Sequence, residues 1–314
     1  MMPESRTVAI VGAGLVGLGW ALVFARAGYV VRAYDPSEEV RGRIMSQAED
    51  SLADLREVGL LNDPQAALSR LSVHDTLAGA VEGAFYVQES VFETVEVKTA
   101  VSLELDAVIG AGTLVGSSSS GIPASRFTEQ CAHRDRFMIA HPVNPPHLVP
   151  VVEIVPAPWT ATEGVERVVA LMHEVGQVPV RLAREIDGFV LNRLQGVLLN
   201  EAWALYEDGI ASLADIDATI AHGLGMRWSF MGPFETIDLN APGGIEDYAA
   251  RLRGLYADMV RTPPRGPWPD EVIAKATRER RAALPAEDLA DRRAWRDARL
   301  SRLVAFKTSQ GLSD

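Results

Sequence analysis

His141 and Glu153 are the residues of this sequence best suited to move a proton. His141 ends an apolar run and opens the segment HPVNPP (141–146). Prolines fix the backbone of such a loop, and an imidazole exchanges its proton near neutral pH. Glu153 lies inside the apolar run 149–155, where a carboxylate needs a polar partner. We expect Glu153 to orient His141 and to stabilise its protonated form. The alternative is a structural histidine beside an unrelated glutamate.

Other polar residues at the ends of predicted elements have simpler interpretations. Four serines (117–120) end a predicted strand, and Asn192 lies in the segment GFVLNRL (188–194). Serine is common in turns, and an asparagine near a helix start often serves as a cap. Glu93 and Lys98, near the start of another helix, fit an exposed ion pair that contributes little stability. From residue types alone, each of these residues fits a purely structural role.

A glycine motif near the N-terminus predicts dinucleotide binding. Residues 12–17 read GAGLVG, which matches G-x-G-x-x-G between a strand and a helix. Gly12 permits a tight turn, Gly14 lets the backbone approach a pyrophosphate, and Gly17 permits close packing of helix on strand. Asp35 ends the second strand, where a carboxylate binds the adenosine ribose and disfavours a 2′-phosphate. We therefore expect NAD rather than NADP.

Two other interpretations of this stretch are open. One is a glycine-rich structural turn. The other is a membrane span, because residues 8–25 carry no charged side chain and reach the lower length limit of a spanning helix. The glycines within this window, and the strand pattern that resumes around Arg32, weigh against a span. We expect neither a membrane segment nor a signal peptide.

Composition limits the class of protein. The chain has 314 residues, of which 47% are hydrophobic and 23% charged, as in an ordinary globular protein of two domains. Lys and Arg number 30 against 42 Asp and Glu, a net charge of −12, which argues against nucleic acid as a partner. Cys131 is the single cysteine, which excludes a Cys-x-x-Cys metal site. We expect no bound metal and a reducing, cytoplasmic setting.

Apolar periodicity predicts the elements that position these residues. Strands are predicted at residues 8–11, 29–34, 71–73, 84–88, 108–110 with 113–117, 137–140, 149–155 and 178–182. Helices are predicted at residues 18–27, 38–57, from 95 onward, 188–208, 213–222, 244–261, 269–283 and 286–306. The alternation predicts an α/β, Rossmann-type, doubly wound and mostly parallel sheet over residues 1–186. An all-helical domain is predicted over residues 187–314.

Taken together, the motifs resemble the 3-hydroxyacyl-CoA dehydrogenase family over nearly the whole chain. The resemblance is carried by GAGLVG with Asp35, the serines before IPAS, HPVNPP, VVEIV, DGFVLNRL and GPFE. Longer stretches such as HPVNPPHLVPVVEIVP and GLGMRWSFMGPFETIDLN resemble the family's branch of lambda-crystallin and L-gulonate 3-dehydrogenase.

This resemblance implies roles for individual residues. His141 corresponds to the general base and Glu153 to its orienting acid. Ser120 and Asn192 correspond to the pair that hydrogen-bonds the reacting oxygen, with the adjacent Ser119 as the alternative to Ser120. Cofactor contacts are implied at Gly12, Gly14, Leu15, Val16, Gly17, Asp35, Glu93, Lys98 and Asn144. A homodimer formed through the helical domain is also implied.

Arg227 and Trp228, in GLGMRWSFMGPFE (223–235), bear on the substrate. An arginine beside an aromatic ring suits a free carboxylate, although an arginine paired with a structural acid is the alternative. The expected reaction is oxidation of the 3-hydroxyl of a small hydroxy acid, L-gulonate to 3-dehydro-L-gulonate. L-Carnitine stays open because Trp228, Phe230 and Trp203 offer an aromatic cage. A 3-hydroxyacyl-CoA substrate and a catalytically silent NAD-binding protein also stay open.

Overall fold

A computed structural model describes residues 6–259 and 267–311 of the protein. The chain forms two compact units. The first runs to Arg193 and also includes the C-terminal stretch from Ala294, and the second covers Leu194–Arg293. The predicted division at residue 187 stays a prediction. In the structure, the C-terminal stretch groups with the first unit.

The first unit is built on one eight-stranded sheet with the order β3-β2-β1-β4-β5-β6-β7-β8. Its strands are β1 Thr7–Val11, β2 Val30–Tyr34, β3 Leu71–Val73, β4 Tyr86–Glu89, β5 Leu114–Ser117, β6 Phe137–Pro142, β7 Val151–Pro156 and β8 Val178–Arg181. Neighbouring strands are parallel except β6 and β7, which are antiparallel. The predicted Rossmann-type, mostly parallel sheet is confirmed.

Helices cover both faces of this sheet. They are α1 Leu15–Arg26, α2 Glu38–Glu57, α3 Pro64–Leu68, α4 Leu77–Val81, α5 Val95–Val108, α6 Ser125–Thr128 and α7 Thr162–Glu174. Along β1, Val8 and Ile10 join a core with residues of α1, α2 and α7, whereas Ala9 and Val11 join a core with Leu105 of α5. Because successive strand residues point to opposite faces, these two cores lie on opposite sides of the sheet.

The strand order places a ligand crevice at β1 and β4. From β1 the chain proceeds outward to β2 and β3, then returns to β4 on the other side of β1 and continues outward from there. In doubly wound sheets, ligands bind at such a reversal, beyond the carboxyl ends of the strands. The glycine turn follows β1, and Glu89 ends β4, so both lie at this edge.

Helices make up the described part of the chain after β8. They are α8 Leu191–Glu207, α9 Leu213–Thr219, α10 Gly225–Trp228, α11 Pro233–Leu239, α12 Gly244–Met259, α13 Asp270–Ala283 and α14 Leu289–Ser309, with a π-helical turn at Ile220–Leu224. Among the described residues from 187 onward there is no strand. The predicted helical character is confirmed there, while the end of the predicted helix 244–261 lies outside the described residues.

The structure differs from the predicted elements at three places. Residues 108–110 do not form a strand, because α5 continues to Val108 and the Ile109 N–H still donates to the Leu105 carbonyl at 2.9 Å. Helix α7 was not predicted, although Val165, Val168 and Leu171 give it a buried face. The helix expected from residue 188 begins at Leu191 instead.

The late start of α8 has a backbone cause. Gly188 has φ +73° and Phe189 has φ +50°, and both values belong to the left-handed region, which a right-handed helix excludes. Phe189 is fully buried within a core that also contains Ile139 and Val155. Burial of this ring stabilises a backbone conformation that a non-glycine residue rarely adopts.

The loop that follows β6 packs against α1. A Cβ atom at Gly19 would lie 2.6 Å from Pro146 Cδ, so the absence of a side chain permits this approach. At the end of α1, Arg26 Nη1 donates to the His147 carbonyl at 2.8 Å. The loop after His141 is therefore held against the helix that follows the glycine turn.

We expect His147 to make the stability of the protein sensitive to acid. Burial and the nearby Arg26 lower the pKa of His147 to about 4, against the opposing charge of Asp297. Its buried Nδ1 has no hydrogen-bond partner among the described residues. The unfolded chain takes up this proton near pH 6.5, whereas the folded chain takes it up only near pH 4. Stability is therefore lost as the pH falls from 6.5 to 4.

We predict that His147→Gln removes this component of acid sensitivity. Its size is about 2–3 kcal/mol between pH 7 and 4.5. Urea unfolding of wild type and variant at both pH values measures it. Parallel losses of unfolding free energy in the two proteins would contradict the assignment.

Candidate active site

The glycine turn has the shape of a dinucleotide cradle. Gly12 has φ +87°, and a Cβ atom there would lie 2.6 Å from the Ser90 carbonyl group. A Cβ atom at Gly17 would lie 1.9 Å from the Gly12 carbonyl oxygen. Gly14, by contrast, faces open space with no heavy atom within 4 Å. The first and third glycines are thus needed by the fold itself, and the second leaves room for a ligand.

Two further features fit a pyrophosphate and a ribose at this turn. Gly14 caps α1 without a side chain, so the helix presents its first N–H groups and the positive end of its dipole. Leu15 begins α1 and is exposed, and Val16 follows it. Asp35 accepts from the Ala13 N–H through Oδ2 and from the Ser37 N–H through Oδ1, both at 2.9 Å. Its carboxylate therefore lies beside the glycine turn, where NAD would place a ribose.

His141 and Glu153 form a buried pair. They are directly opposite each other in the antiparallel register of β6 and β7, and His141 Nδ1 lies 2.8 Å from Glu153 Oε2. Glu153 Oε1 accepts from the N–H groups of Val190 and Leu191 at 2.8 and 2.9 Å. Nε2 of His141 remains as the ring nitrogen that does not face Glu153.

Glu153 is held in its charged form. Burial opposes ionisation, but the hydrogen bonds from His141, Leu191 and Val190 lower the pKa of Glu153 below its usual value. Leu191 begins α8, so the positive end of that helix also favours a carboxylate. A permanently charged acceptor at Nδ1 stabilises an imidazolium and leaves Nε2 to exchange a proton.

The four serines divide into different environments. Ser117 Oγ donates to Glu89 Oε2 at 2.5 Å. Ser119 is fully buried, and its hydroxyl contacts Glu93 Oε1 and the Ile122 carbonyl, both at 2.8 Å. Ser120 is exposed. Of Ser119 and Ser120, the structure leaves the hydroxyl of Ser120 accessible to a ligand.

Asn192 lies beside Ser120. Its Nδ2 donates to the Ser120 carbonyl at 2.5 Å. Asn192 is the second residue of α8, whose first N–H groups contact Glu153. The start of this one helix thus contacts both the His141–Glu153 pair and the serine residues. The structure thus brings together the four residues predicted to be catalytic, His141, Glu153, Ser120 and Asn192.

Only Lys98 of the predicted Glu93–Lys98 pair is buried, because the side chain of Glu93 is 39% exposed. Lys98 has no exposed side-chain surface, and its Nζ lies 3.1 Å from Glu89 Oε1 and 3.5 Å from Glu93 Oε2. Burial opposes ionisation of Glu93, but Lys98 and hydrogen bonds from Ser119, Ser120 and Gly121 lower its pKa.

Glu89 did not figure among the predicted site residues. It ends the apolar strand β4 and is buried. A carboxylate in an apolar strand needs a partner, so Glu89 is recognisable from the sequence in the same way as Glu153.

The remaining predicted residues stand apart from these contacts. Asn144 is exposed in the loop after β6. Arg227 and Trp228 belong to α10 of the second unit, and both are exposed. Among the described residues Arg227 forms no ion pair within 4.0 Å, which disfavours the alternative of a structural acid partner.

Comparisons with known proteins agree with this geometry. The family model "3-hydroxyacyl-CoA dehydrogenase, NAD binding domain" matches residues 7–186, and the corresponding C-terminal domain model matches residues 188–281. The chain belongs to the 3-hydroxyacyl-CoA dehydrogenase family. Membership makes it an NAD-dependent oxidoreductase that acts on CH–OH groups. The predicted family, cofactor and enzyme class are confirmed.

Individual members of the 3-hydroxyacyl-CoA dehydrogenase family show the range of relatives. Lambda-crystallin of Oryctolagus cuniculus is 39% identical over 311 residues, 97% of each chain. L-Carnitine dehydrogenase of Streptomyces griseus is 38% identical over 262 residues, 83% of this chain and 77% of the relative. The solved NAD+-dependent 5-formyl-3-hydroxy-2-methylpyridine 4-carboxylic acid 5-dehydrogenase is 28% identical, with a TM-score of 0.81 over 97% of this chain and 98% of that one.

Within residues 6–259 and 267–311, no helix combines the length and hydrophobicity needed to cross a bilayer. No group of three His, Cys, Asp or Glu side chains is arranged there to hold a metal ion.

Proposed function

We propose that this dehydrogenase oxidises the 3-hydroxyl of a small hydroxy acid, namely L-gulonate to 3-dehydro-L-gulonate. The observation that carries the proposal is the buried His141–Glu153 pair at 2.8 Å, next to Ser120 and Asn192, in a unit that also holds the glycine turn. A base, its orienting acid and two hydrogen-bonding groups are the parts that alcohol oxidation needs.

The roles follow from the contacts. His141 Nε2 accepts the proton of the 3-hydroxyl, and Glu153 stabilises the resulting imidazolium through Nδ1. Ser120 and Asn192 hydrogen-bond the oxygen while it becomes a carbonyl. Bound NAD supplies the hydride acceptor. We propose that the residues holding it are Gly12, Gly14, Leu15, Val16, Gly17, Asp35, Glu93, Lys98 and Asn144.

A free carboxylate on the substrate is supported by Arg227. Its guanidinium is exposed and lacks an ion pair among the described residues, and an arginine binds a carboxylate through two parallel hydrogen bonds. We propose that Arg227 and Trp228 contact the substrate. One solved relative is named for a carboxylic acid substrate, and others are named lambda-crystallin.

L-Carnitine is the second candidate, because two relatives are named L-carnitine dehydrogenase. Its cation needs aromatic faces. Trp228 and Phe230 are exposed, but Trp203 stacks on Trp268 with ring centroids 4.9 Å apart. One face of Trp203 is thus already covered, which weakens the three-ring cage expected from the sequence.

A substrate panel tests the proposal. We predict NAD reduction at 340 nm with L-gulonate, at a kcat/KM above that with L-carnitine, L-3-hydroxybutyrate or 3-hydroxybutyryl-CoA.

We predict further that Arg227→Ala raises KM for the hydroxy acid about 10-fold or more, the usual effect of a lost charge-assisted contact, and leaves KM for NAD unchanged. The exposed Arg253→Ala is the matched control. Equal effects on both KM values would exclude a carboxylate contact, and a panel without turnover would favour a silent NAD-binding protein.

The helical unit supports a proposal about assembly. Exposed apolar side chains recur on its helices, among them Leu194, Val197, Leu239 and Leu255. Such surface is typical of a subunit interface. We propose a homodimer formed through this unit, and sedimentation as a monomer at micromolar concentration would contradict it.

The setting of the protein is also a proposal. Cys131 is a buried free thiol, and thiols persist in reducing compartments. We propose a cytoplasmic location, which cell fractionation tests.

A further inference from the structure

A network of polar side chains lies between the sheet and α1. Tyr86 and Gln88 are two residues apart on β4, so they point to the same face, and neither has exposed surface. Trp20 of α1 is also fully buried. Ser90 and Ser118 directly follow the neighbouring strands β4 and β5. The network therefore connects the packed interior with the edge of the sheet that faces the ligand crevice.

The orientation of the Gln88 amide is fixed at both ends. Its Nε2 lies 3.2 Å from the Ala140 carbonyl oxygen, which can only accept, so this side of the amide is the NH2 group. Its Oε1 accepts from the Tyr86 hydroxyl at 2.6 Å, and burial raises the pKa of Tyr86 so that this hydroxyl keeps its proton. Gly116 of β5 makes room for the contact, because a Cβ atom there would overlap the Tyr86 hydroxyl. The second N–H of Nε2 therefore donates to Ser118 Oγ, 2.8 Å away.

Ser118 can donate its proton in one direction only. Its Oγ accepts from Gln88 Nε2 and also from Trp20 Nε1, which lies 3.2 Å away. An indole N–H is always a donor, and a hydroxyl oxygen accepts two hydrogen bonds, so both acceptor positions of Ser118 are occupied. The Ser118 proton is left for Ser90 Oγ at 2.8 Å. Ser90 Oγ is therefore an acceptor within the network, and its own proton points elsewhere.

Ser90 lies beside the glycine turn. Its N–H donates to the Val11 carbonyl at 2.7 Å, and its carbonyl group is the one that a Cβ atom at Gly12 would meet at 2.6 Å. The residue is partly exposed, and within the described part of the chain its hydroxyl has no acceptor. The network thus leaves one hydroxyl proton available to a ligand at the carboxyl end of β4.

The strand order indicates which part of a dinucleotide would pass this hydroxyl. Asp35, the proposed ribose contact on the adenosine side, directly follows β2, and the glycine turn follows β1. Strand β4 lies on the side of β1 opposite to β2. A cofactor with its adenosine at Asp35 and its pyrophosphate at the glycine turn therefore has its nicotinamide half at the end of β4, beside Ser90.

We propose that Ser90 is a cofactor-binding residue whose hydroxyl donates to an oxygen in the nicotinamide half of NAD, on either the phosphate or the ribose. The buried network gives this bond its direction, because the Ser118 proton already occupies Ser90 Oγ on the protein side. Solvent accepts the Ser90 proton in the free protein, and a cofactor oxygen replaces it on binding. The proposal rests on the proposed adenosine contact of Asp35 and is independent of the identity of the hydroxy acid.

Ser90→Ala tests the contact in the full-length protein. We expect the Kd for NAD, measured by calorimetry without substrate, to rise about 10-fold, the effect of one lost hydrogen bond to a polar or charged acceptor. The Kd for AMP, which lacks the nicotinamide half, should change less than about 2-fold, and this binding also shows that the variant is folded. ADP-ribose should weaken as NAD does, whereas ADP should weaken only if the acceptor is a phosphate oxygen. The exposed Ser46→Ala, whose hydroxyl donates to the Arg43 carbonyl of its own helix, is the control.

A double-mutant cycle tests the direction of the network. Trp20→Phe removes one donor to Ser118, so Ser118 Oγ gains a free acceptor position and Ser90 can turn its proton inward. The fraction of molecules with this proton directed at the ligand falls, and NAD binding should weaken about 2-fold or more. In the Ser90→Ala background the same change should leave NAD affinity unaltered, because no Ser90 proton remains.

Unchanged NAD affinity in Ser90→Ala would overturn the proposal, and so would equal weakening of NAD and AMP. Additive effects of Trp20→Phe and Ser90→Ala would overturn the directed network. Asp35→Ala checks the orientation of the cofactor separately and should weaken AMP as well as NAD. If Asp35→Ala left AMP binding unaltered, the proposed adenosine contact would fail, while the NAD affinity of Ser90→Ala would still decide whether Ser90 binds the cofactor.

Discussion

Replacing His141 with glutamine is expected to lower kcat for hydroxy-acid oxidation by about 100- to 10,000-fold, the usual contribution of a positioned general base. Glutamine retains a hydrogen-bonding group toward Glu153 but offers no nitrogen that accepts a proton near neutral pH. Binding of NAD should persist, since His141 contacts Glu153 and Phe189 and lies apart from the glycine turn in the sheet order.

Calorimetry of NAD binding and steady-state rates at saturating NAD measure both halves of this prediction. The exposed His222→Gln serves as the matched control and should keep the wild-type rate. Glu153→Gln should show a smaller loss than His141→Gln, because the base remains and only its orienting charge is removed. Wild-type turnover by His141→Gln would refute the base role.

Gly17→Ala is expected to lose both stability and NAD binding. The new Cβ would lie 1.9 Å from the Gly12 carbonyl oxygen, and because this neighbour is backbone, the turn itself must shift. Such overpacking costs about 1–3 kcal/mol of unfolding free energy. The displaced turn should bind NAD at least about 100-fold more weakly, a loss of ~2.8 kcal/mol.

Two alanine variants distinguish this effect from a general effect of losing glycine. Gly14→Ala meets no heavy atom within 4 Å, so it should weaken NAD binding without destabilising the free protein. Gly42, inside α2, also meets none, and Gly42→Ala should stabilise the protein by about 0.5–1 kcal/mol. Thermal unfolding without NAD gives the stability order, and calorimetry gives the affinities. Unchanged stability in Gly17→Ala would contradict the steric argument.

Local sequence patterns were sufficient for the architecture, whereas for His141 and Glu153 they suggested a pair without excluding a structural histidine beside an unrelated glutamate. Strand and helix periodicity is a property of short stretches of sequence, and a carboxylate within an apolar strand needs a polar partner. By contrast, four adjacent serines share one local signal, and only long-range contacts with Glu89 and Glu93 distinguish Ser117, Ser119 and Ser120. The burial of Lys98 could not be predicted from local sequence either, because its partner Glu89 belongs to another element.

Backbone conformation marks a second limit. The start of α8 depends on Phe189, whose left-handed φ is stabilised by burial of its ring in a core built from distant strands. Apolar periodicity alone extended the predicted helix back to residue 188, although Gly188, Phe189 and Val190 have low helix propensity. The same packing aims the first N–H groups of α8 at Glu153.

The antiparallel pairing of His141 with Glu153 has a consequence for how this chain tolerates insertions and deletions. Backbone ladders on β6 and β7 fix the two side chains opposite each other, so residues added within the connecting loop 143–150 leave the pair aligned. A single residue added within β7, before Glu153, would shift the register by one and turn the carboxylate to the other face of the sheet. The His141 imidazole would then lose its contact with the Glu153 carboxylate, although the loop and the composition would have hardly changed.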